Sequence, residues 1–112
     1  MKIFVVVAVK KELACVGSLF VNTKINPNLF PSPELRTLHL PLSHSDYDFL
    51  DHDSFLDCSQ IKEINLKWLF RQVERDPGVF LGRLNKPTFQ KAKEIILSAP
   101  TIPEQTKKRF LF

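Results

Sequence analysis

The sequence predicts a small α+β protein, mainly β, in which a curled antiparallel sheet or barrel is followed by two or three helices. Two observations lead to this prediction. Apolar runs rich in β-branched residues, which are typical of strands, fill the first half of the chain. Apolar residues at helical spacing follow residue 65. Because 112 residues bury one modest core, we expect a single domain over 1–112, strand-rich at 1–64 and helix-rich at 65–112.

Four segments of the first half are expected to form strands: Lys2–Val9, Leu13–Val21, Leu35–Leu42 and Ser54–Ser59. The first two form a hairpin, with Gly17–Ser18 as a bulge or a close approach of the backbone. Pro41 indicates an edge strand or a strand end, because proline cannot donate to a ladder. The fourth strand begins at Phe49 in a longer alternative. Asn22–Glu34 holds three prolines and is predicted to be a loop.

Three helices are expected in the second half: Leu66–Arg75, Lys86–Ala99, and a short one that reaches Phe110. Asn65 and Asn85 are the expected caps of the first two, and Thr101-x-x-Glu104 matches a capping box for the third. Val79–Leu84 is expected to be a short strand or extended segment. Trp68 lies off the apolar stripe of its helix, so it either marks a partner surface or packs under a loop.

The net charge of +4 is unevenly divided along the chain. Residues 1–60 carry five basic and seven acidic side chains, whereas residues 61–112 carry eleven basic and five acidic ones. A basic half is compatible with RNA, DNA or an acidic protein partner, and equally with solvated helix faces. No apolar run approaches the length of a membrane span, so we expect a cytoplasmic protein with Cys15 and Cys58 as reduced thiols.

Composition excludes several kinds of site. Three glycines do not make a phosphate-binding loop, and two cysteines make neither a disulfide framework nor a zinc site. The aspartates at 46–53 fail the EF-hand template, which leaves a looser site with His44 and His52 as a minor alternative. We therefore expect no metal and no cofactor. An imidazole titrates near pH ~6.5, so His52 suits proton transfer or a phosphate contact; the alternative is a solvated acidic turn.

Three strings of the chain resemble, in order and spacing, those of the MazF/PemK family of bacterial toxin–antitoxin systems. ELACVGSLFVNTK, at 12–24, resembles the family's strand ending in a Pro-Ile-Thr-Ser type motif. FLDHDSFLDCSQIKEI, at 49–64, resembles its acid-Ser-hydrophobic-Asp-Gln-Ile-Arg strand. VFLGRLNKPTFQKAKEIIL, at 79–97, resembles its Ile-Gly-Arg-Leu string and the helix after it. The resemblance covers most of residues 2–99.

The resemblance implies an SH3-like, PemK-type barrel, a homodimer, an acidic antitoxin partner, and metal-independent cleavage of single-stranded RNA. The family's catalytic Ser or Thr falls on Thr23. Lys2–Lys10 corresponds to the family's second strand, so its first strand and its Arg-bearing loop would precede Met1. A barrel without that strand has an open edge, which Thr101–Phe112 or a second subunit would have to cover.

The residues expected to act on RNA are catalytic Thr23 and His52, and RNA-binding Lys24, Arg36, Arg83 and Lys86. The family's Arg has no equivalent in this chain. Three alternatives follow: the protein starts upstream of Met1, another base replaces the Arg, or RNA is not cleaved. The last alternative leads to a rival function, a catalytically inert SH3-like module that binds other proteins.

Overall fold

The computed structural model describes residues 3–110. Nine elements follow one another in these residues: β1 Phe4–Lys10, β2 Cys15–Asn22, α1 Pro33–Arg36, β3 His39–Leu42, β4 Ser54–Asp57, β5 Lys62–Asn65, α2 Leu66–Arg75, α3 Lys86–Ser98 and α4 Glu104–Arg109. Short 3₁₀ turns lie at Lys11–Leu13 and Pro77–Val79. Lys2, where the first strand was expected to begin, and Leu111–Phe112, the end of the expected covering segment, lie outside the described residues.

All strands pair antiparallel, and β2 is the centre of the sheet. One edge of β2 pairs with β1. Its other edge is shared, because Cys15–Ser18 pair with β5 and Val21–Asn22 pair with β4. β3 then adds to β4, and over residues 3–110 the sheet does not close into a barrel. The mixed α+β class is confirmed, with an open sheet rather than a barrel.

The hairpin of β1 and β2 contains a bulge, but not in the strand expected from Gly17–Ser18. The register passes from Val6↔Ser18 to Ala8↔Gly17, so the extra residue is Val7 of β1. Gly17 does mark a close approach: a Cβ there would lie 3.1 Å from Cγ2 of Ile61 and 3.5 Å from the Phe110 ring. The absence of a side chain at Gly17 therefore lets the C-terminal Phe110 pack on β2.

The core lies between the sheet and α3. Its fully buried side chains include Leu19 of β2, Leu56 of β4 and Ile96 of α3. The apolar stripe expected on α3 is confirmed, since Ala92, Ile96 and Ala99 are buried and Phe89 is half-buried. α2 contributes no buried side chain, although its apolar residues have helical spacing.

The caps of the two long helices are confirmed. The side-chain oxygen of Asn65 accepts from the backbone N–H of Trp68 at 2.9 Å, and that of Asn85 accepts from Thr88 at 2.9 Å. Each cap satisfies a backbone donor that the first turn leaves without a partner in the helix. α2 begins and ends as predicted, and α3 ends one residue before the predicted Ala99.

The strand predicted over Leu35–Leu42 is wrong in its first half. Ser32 accepts a hydrogen bond from the N–H of Leu35 at 3.2 Å, and Pro33 occupies the first helical position. This cap and proline favour a single helical turn, α1, and the strand begins only at His39. Pro41 does lie in an edge strand, because β3 ends the strand order.

The structure differs from the remaining predictions at four places. Val79–Leu84, expected to be a short strand or an extended segment, forms no strand: Val79 ends a 3₁₀ turn and 80–84 have no regular structure. β5 was not predicted, because Lys62–Asn65 holds a single apolar residue. The fourth predicted strand ends at Asp57 rather than Ser59. The capping box is absent: α4 has no side-chain cap, and the hydroxyl of Thr101 donates instead to the carbonyl of Ser59.

Lys107 joins α4 to the end of α3. Its side chain is 5% exposed, and Nζ donates to the carbonyl oxygens of Leu97 at 2.9 Å and Ala99 at 3.0 Å. The ammonium also lies 3.3 Å from a carboxylate oxygen of Glu104. Since the last carbonyls of a helix have no partner within it, this buried cation supplies donors where the helix lacks them.

In the part of the chain that the structure describes, no helix has both the length and the apolar character required to cross a membrane.

Replacing Lys107 with Met is expected to lower the free energy of unfolding by about 1–3 kcal/mol, because the carbonyls of Leu97 and Ala99 lose a charged donor and that of Ala99 is buried. Lys108, its exposed neighbour on α4, is the matched control, and Lys108→Met should change the free energy by less than about 0.5 kcal/mol. Urea denaturation measures both. Equal losses in the two variants would contradict this role of Lys107.

Cys58 is expected to be inert in the folded protein. Burial raises the pKa of its thiol to about 12, with the charge of Asp57 adding to the effect, so almost no thiolate forms at neutral pH. In a Cys15→Ser variant, a thiol reagent should label Cys58 only when denaturant is added. Rapid labelling without denaturant would show that Cys58 is accessible and that the core is not packed as described.

Candidate functional site

A cavity of about 630 Å³ opens where β2 ends and β4 begins. We call it the first cavity. Its polar lining comes from Asn22, Thr23, Lys24, Asn26, His39, Asp51, His52, Ser54, Asp57 and Gln60. Apolar side chains complete the wall, among them the rings of Phe20, Phe30 and Phe49. The cavity therefore combines aromatic faces with hydrogen-bonding groups, as ligand sites usually do.

The sheet explains why distant residues meet here. Val21 pairs with Leu56 and Asn22 with Phe55, so the end of β2 lies beside the beginning of β4. Thr23 and Lys24 leave the end of β2, and Asp51 and His52 precede β4. Because the strands are antiparallel, both connecting segments reach the same rim of the sheet.

The residues that the sequence singled out divide into two groups. Thr23, Lys24 and His52 are exposed and line the first cavity together. Arg36 lies outside it, and its guanidinium donates to the carbonyls of Phe30 at 2.9 Å and Pro31 at 3.3 Å.

The two remaining basic residues lie elsewhere. Arg83 lines a different cavity, described below, and Lys86 is exposed in the first turn of α3 and lines neither cavity. Three of the four residues expected to bind RNA, Arg36, Arg83 and Lys86, therefore do not line the first cavity with Thr23 and His52, and their roles stay predictions.

The burial of His39 beside the first cavity is a feature that the sequence did not predict. Alternation along the predicted strand Leu35–Leu42 puts His39 on the face of Thr37 and Pro41, away from Leu38, Leu40 and Leu42. In the structure it is 5% exposed and lines the first cavity, and neither ring nitrogen has a hydrogen-bond partner within residues 3–110. The ring of Phe30 packs on it edge-to-face, with centroids 4.3 Å apart.

A buried carboxylate lies across the sheet from this imidazole. Asp57 is directly opposite His39 in the pairing of β3 and β4, and it is 3% exposed. Its Oδ1 accepts from the backbone N–H of Ser59 at 2.9 Å and from the Ser59 hydroxyl. Burial lowers the pKa of His39, and the Asp57 charge acts in the opposite direction. A neutral imidazole offers one donor and one acceptor.

His44 and His52, which are close in sequence, do not both line the first cavity. His44 donates its backbone N–H to Asp53 at 3.0 Å, and Nδ1 lies 2.8 Å from the same carboxylate oxygen. These two hydrogen bonds lower the pKa of Asp53. The pair is exposed and lies outside the lining of the first cavity. Among the described residues, no three His, Cys, Asp or Glu side chains are placed to hold a metal ion.

A second cavity, of about 700 Å³, lies between β1 and α2. Its lining is mostly apolar and includes Ile3–Val6, Trp68, Leu69, Val73, Val79–Leu81 and Phe89. Several of these side chains are well exposed, with Trp68 at 44% and Phe80 at 59%. Arg83 is the one charged side chain that lines it in the described part of the chain. Trp68 thus lies on an accessible apolar surface rather than under a loop.

Replacing His39 with Leu is expected to reduce the loss of stability on acidification. Because burial lowers the pKa of His39 in the folded protein, the unfolded chain takes up a proton first as the pH falls below about 6.5. The free energy of unfolding then falls by up to about 1.4 kcal/mol per pH unit, until the folded protein is protonated too.

Denaturant unfolding of the wild type and His39→Leu between about pH 7.5 and 5.5 measures this difference. His44→Leu, which removes an exposed imidazole, is the control and should retain the wild-type fall. If all three proteins lost the same stability over this range, His39 would not be the group responsible.

Neither a protein-family model, nor a curated protein, nor a solved structure matches this chain. The resemblance to the MazF/PemK family therefore stays a prediction. Of the two cavities, the first is lined by most of the titratable and hydrogen-bonding side chains.

Proposed function

We propose that this protein binds single-stranded RNA at the first cavity and cleaves it without a metal ion, as a toxin or toxin-derived protein of the MazF/PemK type. One observation carries the proposal: Thr23, Lys24 and His52, which come from two separate segments, line one cavity. These are a hydroxyl, an ammonium and an imidazole, the groups that phosphodiester cleavage needs.

The reaction is a transfer of the phosphoryl group to the neighbouring ribose hydroxyl. The 2′-hydroxyl loses its proton, O2′ bonds to phosphorus, and the bond from phosphorus to O5′ breaks. O5′ takes up a proton, and the other product ends in a 2′,3′-cyclic phosphate. His52 donates the proton to O5′, and the carboxylate of Asp51, which also lines the cavity, accepts the proton of the 2′-hydroxyl.

Lys24 supplies positive charge at the phosphate, the role that the family assigns to an Arg. Within residues 3–110 it is the one Lys or Arg side chain that lines the first cavity. Its ammonium offsets the negative charge that develops on the phosphate oxygens, and the hydroxyl of Thr23 donates to one of them. Asp57 repels the phosphate, so we place the phosphate at the rim of the cavity, where Thr23 and Lys24 lie with Asp51 and His52.

The same proposal includes the expected partners. β1 pairs only with β2 among the described strands, so its outer edge is open to a second copy in a homodimer. An acidic antitoxin would compete with RNA for Lys24. We place the protein in the cytoplasm, where RNA is present and both thiols stay reduced.

A second function, an inert module that binds other proteins, is favoured by the second cavity. Exposed aromatic and aliphatic side chains gather there around Trp68 and Phe80. Apolar surface of this kind is typical of protein-interaction sites. The two proposals place the ligand on different surfaces, so they are separable by experiment.

His52→Ala is expected to slow RNA cleavage by about 10²–10⁴-fold, because O5′ loses its proton donor. Purified protein, incubated with end-labelled single-stranded RNA in EDTA, should give fragments ending in cyclic phosphate. His44→Ala is the matched control: it also removes an exposed imidazole next to aspartates, but one outside the cavity, and it should cleave at the wild-type rate.

Lys24→Ala should weaken RNA binding, whereas Lys91→Ala, on the exposed face of α3, should not. Wild-type protein that binds RNA but leaves it intact would remove the catalytic part of the proposal. Protein that does not bind RNA at all would leave the interaction module as the better account.

A further inference from the structure

The unpartnered imidazole of His39 is the feature of the first cavity that RNA cleavage does not use. The side chain is 5% exposed, and both ring nitrogens lack a hydrogen-bond partner within the described residues. Buried polar groups nearly always have partners, because leaving them without one is costly. Since His39 lines a cavity, a ligand in that cavity is a natural source of the missing partner.

The surroundings of His39 define what kind of ligand fits. The rings of Phe20, Phe30 and Phe49 offer apolar faces, and His39 and Asp57 offer polar groups side by side across two strands. A flat heterocycle stacks on aromatic rings while its edge forms hydrogen bonds. The volume of about 630 Å³ is in the range of small-molecule sites, and it accommodates one nucleotide.

The donors and acceptors on the floor of the cavity select among the bases. A neutral imidazole donates from one nitrogen, and the Asp57 carboxylate only accepts. Oδ1 of Asp57 accepts from the N–H and the hydroxyl of Ser59, so Oδ2 is the oxygen that we place against the ligand. Guanine presents the acceptor O6 beside the donors N1–H and N2–H₂, which is the complement of a donor beside an acceptor.

We propose that the first cavity binds a guanine base, with His39 donating to O6 and Asp57 accepting from N1–H and N2–H₂. The proposal deepens the proposed function, on which it rests for the delivery of the base within an RNA strand. Thr23, Lys24 and His52 then lie at the mouth of the cavity, where the attached phosphate would be.

The other bases match these groups less well. Turned over in the cavity, adenine and cytosine each offer one amino donor to Asp57 and one ring nitrogen to the imidazole donor. Uracil offers one carbonyl and one N–H. Each of these bases forms two of the hydrogen bonds, whereas guanine forms three, so guanine is expected to bind more tightly than the other three bases.

Access to His39 requires Phe30 to move. Its ring covers the imidazole, and the ring nitrogens are not open to solvent. Arg36 donates to the backbone carbonyls of Phe30 and Pro31, so it holds the segment that carries this ring. Stacking on the guanine would replace the contact between Phe30 and His39.

Titration with the four nucleoside 5′-monophosphates tests the proposal without requiring cleavage. In protein labelled with ¹⁵N histidine, guanosine monophosphate should shift the ring signals of His39 and bind about tenfold or more tightly than adenosine monophosphate. Asp57→Asn retains the oxygen that accepts from Ser59 and replaces Oδ2 with an amide NH₂ donor. This variant should lose the preference for guanosine monophosphate over adenosine monophosphate. Asp53→Asn, in the exposed pair with His44, is the control and should retain it.

The outcomes separate this proposal from the proposed function. Equal affinity for the four nucleotides, with His39 signals that do not move, overturns the guanine site even if RNA is cleaved. Selective binding of guanosine monophosphate by a protein that leaves RNA intact supports the guanine site and contradicts the nuclease. Loss of the preference in Asp53→Asn as well as in Asp57→Asn would also overturn it.

Discussion

The structure depends on how β2 divides its second edge between two partners. On this edge the first residues of β2 pair with β5 and its last two pair with β4. On the opposite edge, β1 pairs with β2 from Cys15 to Phe20. This arrangement brings the end of β2 to the beginning of β4, so Thr23 and Lys24 share a rim with Asp51 and His52. It also packs Phe110 against Gly17, where no side chain is present to prevent it. The candidate site is therefore a consequence of strand pairing.

Two cavities of similar size, which share Ile3 and Phe49 in their linings, differ in chemistry. The first contains a buried histidine opposite a buried carboxylate, with a hydroxyl, an ammonium and a second imidazole at its rim. The second offers apolar surface and one guanidinium. Catalysis and base recognition need several directed polar groups, and in the described residues most of these line the first cavity. Association with another protein needs accessible apolar area, which the second provides.

Local signals predicted the two long helices, whereas nonlocal contacts determine β5 and the burial of His39. The short helix α1 was missed although its cap, Ser32, and Pro33 are local signals. Asn65 and Asn85 cap their helices through bonds to residues three positions away, so the cap is visible in the sequence. The strand β5 forms by pairing with an edge of β2. Its four residues are mostly polar, so their sequence does not predict a strand. His39 is buried by Phe30, from a loop, and lies opposite Asp57, from another strand. Alternation within one strand carries no information on either contact.

The most direct test of this account is to map where single-stranded RNA binds. Backbone amide chemical shifts of the ¹⁵N-labelled protein, followed during titration with a short RNA, report on both cavities at once. The account predicts that the largest shifts occur at Thr23, Lys24, His52 and the residues beside His39, while those of Trp68 and Phe80 change little. Shifts concentrated around Trp68 and Phe80, or no shifts at all, would contradict the assignment of the first cavity as an RNA site.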